Sequence, residues 1–263
     1  VNIVVLVKQV PDTETKIKIG ADGKSIETSE IKWVMNPYDE YAVEAALRLQ
    51  DSAGASVTIL SMGPERTVES IRTALAMGAD TGVLVDDPAT EGSDALGKAK
   101  VLAAALKSLE FDLVFCGHRA VDSDENQVGI MVAELAGIPH LGLAISAEVA
   151  DGKVKVQRPI EGAKVTMEAT LPALVSFGGA HAVWNPRYAS LPGIMKAKKK
   201  PLETKTLADL GLSAGDVGAE AARVSVTAME MPQERQAGRV LEGDTAEKAK
   251  ELARLLHEEA KVI

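Results

Sequence analysis

Residues 116–129 read C-G-H-R-A-V-D-S-D-E-N-Q-V-G. The run gathers carboxylates (among them Asp122 and Asp124), two amides (Asn126, Gln127) and a hydroxyl (Ser123) within a few residues. An apolar run, residues 112–115, precedes it and a helical pattern, residues 127–135, follows. This places the stretch at the carboxyl end of a buried strand, opening onto a helix N-terminus, where open α/β sheets bind ligands. The first amides of such a helix have no intrahelical acceptor and suit an anion. Two carboxylates would repel a phosphate and fit ribose hydroxyls better, leaving the phosphate to backbone amides and Arg119. A polar loop with Asp124 or Asn126 capping the helix is the competing local reading. Residues 36–39 and 62–64 end neighbouring strands and would complete a cleft.

Other chemistries find little support. The histidines (His118, His140, His181, His257) lack zinc-site spacing, so no metal centre is expected. There is no G-x-S-x-G, no Walker loop and no strand-linked G-x-G-x-x-G. The single cysteine, Cys116, ends a buried strand and reads as a small hydrophobe; it also excludes a disulfide framework. A net charge of −9 argues against a nucleic-acid surface. No apolar run approaches the roughly 20 residues of a membrane span. A strand pattern at the start of the chain gives no sign of a leader, so a cytoplasmic location is expected.

The positioning elements follow from the hydrophobic pattern. Residues 2–7 are a β-branched run expected as a central strand. Residues 16–29 read as a small hairpin, Asn36-Pro37 as a helix start, and residues 56–60, 81–85, 112–115 and 173–177 as further strands. Helices alternate with them up to Ala136, which predicts a parallel sheet covered on both faces. Residues 143–149, 154–158 and 164–169 alternate with period 2 around Asp151-Gly152 and Glu161-Gly162, predicting antiparallel additions to that sheet. The expected organisation is an α/β nucleotide-binding domain over residues 1–192 and a C-terminal extension over 193–263. The extension should hold one short strand at 223–228 and a last helix opened by Asp244 and Glu247. The stripe of that helix (Ala249, Leu252, Leu255, Leu256) needs a surface to cover. In residues 185–200, Leu191, Ile194 and Met195 lie in a Pro/Gly-rich segment beside K-A-K-K-K, an apolar anchor with cations that suits partner docking.

Several stretches together resemble the beta subunit of electron transfer flavoproteins: K-Q-V-P-D at 8–12, N-P at 36–37, I-R-T-A-L-A-M-G-A-D at 71–80, D-x-D-x-N-Q-x-G at 122–129, and N-P-R-Y-A-x-L-P-x-I-M-K-A-K-K-K at 185–200. The resemblance implies a Rossmann-like α/β fold of the adenine-nucleotide α-hydrolase type with added antiparallel strands and a C-terminal arm. It implies an alpha–beta heterodimer whose alpha subunit holds most of a redox-active FAD, and an electron-carrier subunit with no catalytic residues of its own. Electrons would come from dehydrogenases, such as the acyl-CoA dehydrogenases of fatty acid oxidation, and pass to a quinone reductase. A structural AMP would be held here by Leu6, Asn36, Pro37, Tyr38, Asp39, Met62, Gly117, Ala120, Asp122, Ser123, Asp124, Asn126, Gln127 and Val128. Leu191 would anchor the dehydrogenase, with Ile194 and Met195 beside it; Lys196 and Lys199 match positions methylated in some relatives. The compartment would be the bacterial or archaeal cytoplasm, or the mitochondrial matrix in a eukaryote.

Another branch of the family holds a second FAD in the same cleft and uses it to oxidise NADH and bifurcate electrons. Asn126-Gln127 leans to the AMP branch, whereas Val128 and the run 10–13 lean to the other. Thr13 and Val165 supply neither the aromatic nor the acid looked for near the flavin in the AMP branch. A free-standing ATP-binding domain is a third reading, which leaves the docking segment and the arm without a purpose.

Overall fold

Alternate side chains of the first strand explain why its run is apolar throughout. Ile3, Val5 and Val7 join one hydrophobic core, and Val4 and Leu6 the other. The structure, a computed structural model, describes residues 1–178, 182–233 and 237–263. Its strands are β1 (Asn2–Leu6), β2 (Gln9–Pro11), β3 (Trp33–Met35), β4 (Ser56–Met62), β5 (Thr81–Val85), β6 (Leu113–Gly117), β7 (His140–Ala144), β8 (Ser146–Ala150), β9 (Lys153–Ile160), β10 (Ala163–Thr170), β11 (Ala173–Phe177) and β12 (Leu202–Lys205). The helices are α1 (Pro37–Ala53), α2 (Val68–Met77), α3 (Ala95–Leu106), α4 (Val128–Ala136), α5 (Leu191–Ala197), α6 (Gly218–Ala221) and α7 (Thr245–Arg254).

Seven parallel strands form the main sheet in the order β12-β5-β4-β1-β6-β11-β7. Helices α1 and α2 cover one face, and α3 and α4 the other. From β1 the chain adds β4 and β5 on one side, then returns to place β6 on the other. The sheet therefore has its switch point beside β1, where a crevice opens at the carboxyl ends of the strands.

Four expectations are corrected. The antiparallel strands are not additions to the main sheet: β8, β9 and β10 form a separate three-stranded sheet. The run 143–149 divides, because Leu143 takes a positive φ of 57° and β7 pairs in parallel with β11 before β8 begins. Asp151-Gly152 and Glu161-Gly162 do make the two hairpin turns. Residues 223–228 form no strand; Val224 and Val226 are exposed and, among the described residues, no neighbouring strand completes a ladder. The hairpin over 16–29 reduces to one bridge, Ile19 to Ile26.

The division at 192/193 cuts through chain that packs with the main body. Strand β12 pairs with β5, and Leu207 and Val217 are buried in the α3/α4 core. The sequence hides this because L-E-T-K carries one apolar residue, as an edge strand permits. Beyond residue 222 the described chain forms neither helix nor strand until α7, whose capping box is formed by Asp244 and Glu247. No residue of α7 is buried. Among the described residues no helix is long and apolar enough to cross a membrane.

Candidate functional site

The crevice at the carboxyl ends of β1, β4 and β6 is a cleft of ≈ 840 Å³, counted out to its open mouth. Ten of the expected site residues line it: Leu6, Asn36, Asp39, Met62, Gly117, Ala120, Ser123, Asn126, Gln127 and Val128. Pro37, Tyr38, Asp122 and Asp124 are not among its lining residues.

Two buried side chains at the start of α1 hold the site together. Asn36 occupies the N-cap position, yet its side chain does not cap the helix. Its amide instead donates to the Arg119 carbonyl (3.0 Å) and accepts from the Val121 amide (3.1 Å), fixing the β6 loop to α1. One turn on, Asp39 accepts from the backbone amides of Lys8 (2.8 Å) and Gly117 (2.9 Å) through separate oxygens. One carboxylate thus ties the ends of β1 and β6. Burial pushes its pKa up to about 7, against the pull of those amides. Position 117 must be glycine for this packing, since a Cβ there would come within 2.5 Å of Asp39 Oδ1 and 2.7 Å of Tyr38 Cβ.

Charges around the cleft are largely paired. Lys8 Nζ binds both oxygens of Asp122 at 2.7 Å. Arg119 donates to Asp124 (2.9 Å) and to the Tyr38 hydroxyl (3.0 Å), and its guanidinium lies 5.3 Å from the Tyr38 ring centroid. Arg119, Asp122 and Asp124 are therefore each held by a neighbouring side chain, while the buried Nε of Arg119 has no partner among the described residues. Asp124 and Asn126 both adopt positive φ, 56° and 52°, and neither caps α4. Among the described residues no side chain caps that helix at all, and its first residues Val128 and Gly129 line the cleft. His118 packs edge-on to Tyr38 at 4.4 Å and bonds the Phe177 carbonyl through Nδ1 at 3.1 Å; burial lowers its pKa. Cys116 is buried beneath α4 and burial pushes its thiol upward, which suits an inert core residue. Sequence reasoning missed Lys98 and Leu102, which reach the cleft from α3. Nothing in the alanine-rich run 95–106 marks which lysine faces inward. Among the described residues no group of three His, Cys, Asp or Glu side chains gathers as for a metal; His181 lies outside them.

A second surface surrounds α5. Within the Pro/Gly-rich segment Ser190 accepts from the Gly193 amide and Pro192 occupies the first turn, so a short helix forms. Leu191 is 80% exposed, Met195 65% and Ile194 42%. The helix is held from behind. Lys200 Nζ donates to the carbonyls of Leu75, Gly78 and Ala79 at the end of α2 (2.5–3.1 Å), where a cation complements the helix dipole. Arg72 reaches the carbonyls of Ala197 and Lys200. Upstream, Arg187 forks onto the buried Glu44 (2.7 and 3.1 Å) and bonds Asp51 at 2.8 Å. Of the basic run, Lys196, Lys198 and Lys199 remain exposed.

Residues 24–210 match the family model described as electron transfer flavoprotein domain. The electron transfer flavoprotein subunit beta of Bacillus subtilis is 40% identical over the whole of both chains. That of Bradyrhizobium diazoefficiens is 41% identical over 90% of this chain and 91% of its own, and the mouse subunit 40% identical over 95% and 97%. With a doubly covered parallel sheet and a cleft at its switch point, this chain belongs to the electron transfer flavoprotein family, as a beta subunit.

Proposed function

We propose that this chain is half of an alpha–beta heterodimer that carries electrons from dehydrogenases, including acyl-CoA dehydrogenases, through FAD to a quinone reductase or similar acceptor. The observation that carries the cleft's part in this is its make-up: an apolar slot with an uncapped helix start at one end. Leu6, Met62, Leu102 and Val128 give apolar walls for a flat base. Ser123, Asn126 and Gln127 add hydroxyl and amide groups for its polar edges and ribose. The start of α4 offers amides to a phosphate. These residues fit AMP, and its role is structural: it fills a crevice between elements that Asn36 and Asp39 already draw together.

The FAD, held mainly by the alpha subunit, supplies the redox chemistry, and the protein orients and shields it. This chain's contributions are surfaces. The exposed apolar residues Leu191, Ile194 and Met195, with lysines alongside, dock the dehydrogenase. The α7 stripe, with Leu252 49% exposed, lies on the alpha subunit.

The test is to co-express the two subunits, denature the purified complex and quantify the nucleotides released. One FAD and one AMP per heterodimer are expected. Two FAD with rapid bleaching by NADH would replace this reading with the bifurcating one. A chain that is stable alone, binds ATP and recruits no alpha subunit would overturn both.

A further inference from the structure

Of the cations lining the cleft, Lys8 is bonded to Asp122, and Arg119 to Asp124 and Tyr38. Lys98 is different. It enters from the first turn of α3, half-buried, and among the described residues its ammonium makes no hydrogen bond or ion pair. Burial lowers its pKa, and the nearby charge of Lys8 lowers it further; Glu125, Asp122 and Asp94 act from a distance the other way. A half-buried cation without a direct partner is costly, and an anion is the group that would offset it. The uncapped start of α4 lines the same cleft, immediately after Glu125–Gln127. Two independent features thus favour negative charge in one place.

We propose that Lys98 is a specificity residue of the cleft: it binds the ligand's phosphate and so makes the site select a nucleoside monophosphate over the bare nucleoside. The inference rests on the nucleotide reading above and adds a residue to it. Asp39 and Asn36 cannot take this role, because their polar atoms are engaged by backbone groups. The apolar walls and the 123–127 amides recognise the nucleoside part, which carries no charge. Arg119 also lines the cleft, with its buried Nε unpartnered among the described residues, but its charge is already met by Asp124, so Lys98 is the cation there with no direct counter-charge.

The test uses the alpha–beta complex freed of cleft nucleotide by exhaustive dialysis, titrated calorimetrically with AMP and with adenosine. The wild type should bind AMP more tightly than adenosine. Lys98→Met, which keeps the stem and removes the charge, should weaken AMP about tenfold and leave adenosine unchanged, as expected for one charge-assisted hydrogen bond. Lys98→Arg should retain the preference. Equal weakening of both ligands by Lys98→Met would make Lys98 a packing residue and overturn the proposal, as would no change in either. A wild-type complex that binds neither ligand would overturn the AMP reading itself, a result distinct from any effect of the substitution.

Discussion

In the cleft, buried polar side chains bond backbone amides and carbonyls; on α5, apolar side chains stand exposed. Asn36 and Asp39 are buried and use both ends of their side chains to tie strand ends together. Leu191, Ile194 and Met195 stand on a helix whose fixed contacts all lie on its other side, through Lys200, Arg72 and Gly193. A Cβ at Gly193 would meet the Ala76 carbonyl, so α5 sits close against α2. The two regions therefore do different work. In the proposed function the cleft takes a small ligand and the α5 surface docks a macromolecule, and the exposed groups of α5 add little to the fold.

The largest stability effect should come from the support of the α5 region rather than from its exposed face. Arg187→Ala removes the guanidinium from the buried Glu44 and leaves it the amide of residue 187, at 3.1 Å, and Arg48, at 4.0 Å. Breaking such a pair costs about 3 kcal/mol; the partial exposure of Arg187 keeps it at the low end. Thermal unfolding of the complex should show the loss, and Glu44→Gln in the same background should recover part of it. No change in melting temperature would mean that the segment is held by other contacts.

A smaller, pH-dependent effect is expected in the cleft. The folded pKa of Asp39, about 7, lies above the unfolded value of about 3.9. Between these values the unfolded chain has released the proton and the folded chain keeps it. Its contribution to stability is therefore present at acid pH and is lost as pH rises through about 7. Asp39→Asn should flatten that slope in melting temperature against pH. A slope unchanged by the substitution would assign the titration to another group.

Much of this architecture is legible in the sequence because buried parallel strands are apolar on both faces. Residues 2–7 and 173–177 have no other sensible reading, and the Asp-Gly pair at 151–152 marks its turn directly. Strand β12 is not legible, since one leucine in L-E-T-K suffices at a sheet edge. The opposite failure occurs at 223–228, where V-S-V alternates as a strand does but pairs with no strand among the described residues. In the cleft, the loop 116–129 stands out by composition. The use of Asn36 does not: its type and place predict a helix cap, and only the folded loop reveals Arg119 and Val121 as its partners. Lys98 is hidden for a related reason, because the direction a helical lysine faces depends on what packs against α3.

The separation of the two regions is tested most directly by Leu191→Ala in the intact alpha–beta complex. Electron transfer from a partner dehydrogenase and the FAD and AMP contents would be measured on the same preparation. Transfer should slow about tenfold, the effect of losing an interface anchor, while both nucleotide contents and the melting temperature stay as in the wild type. Loss of flavin, or an unchanged transfer rate, would contradict the account.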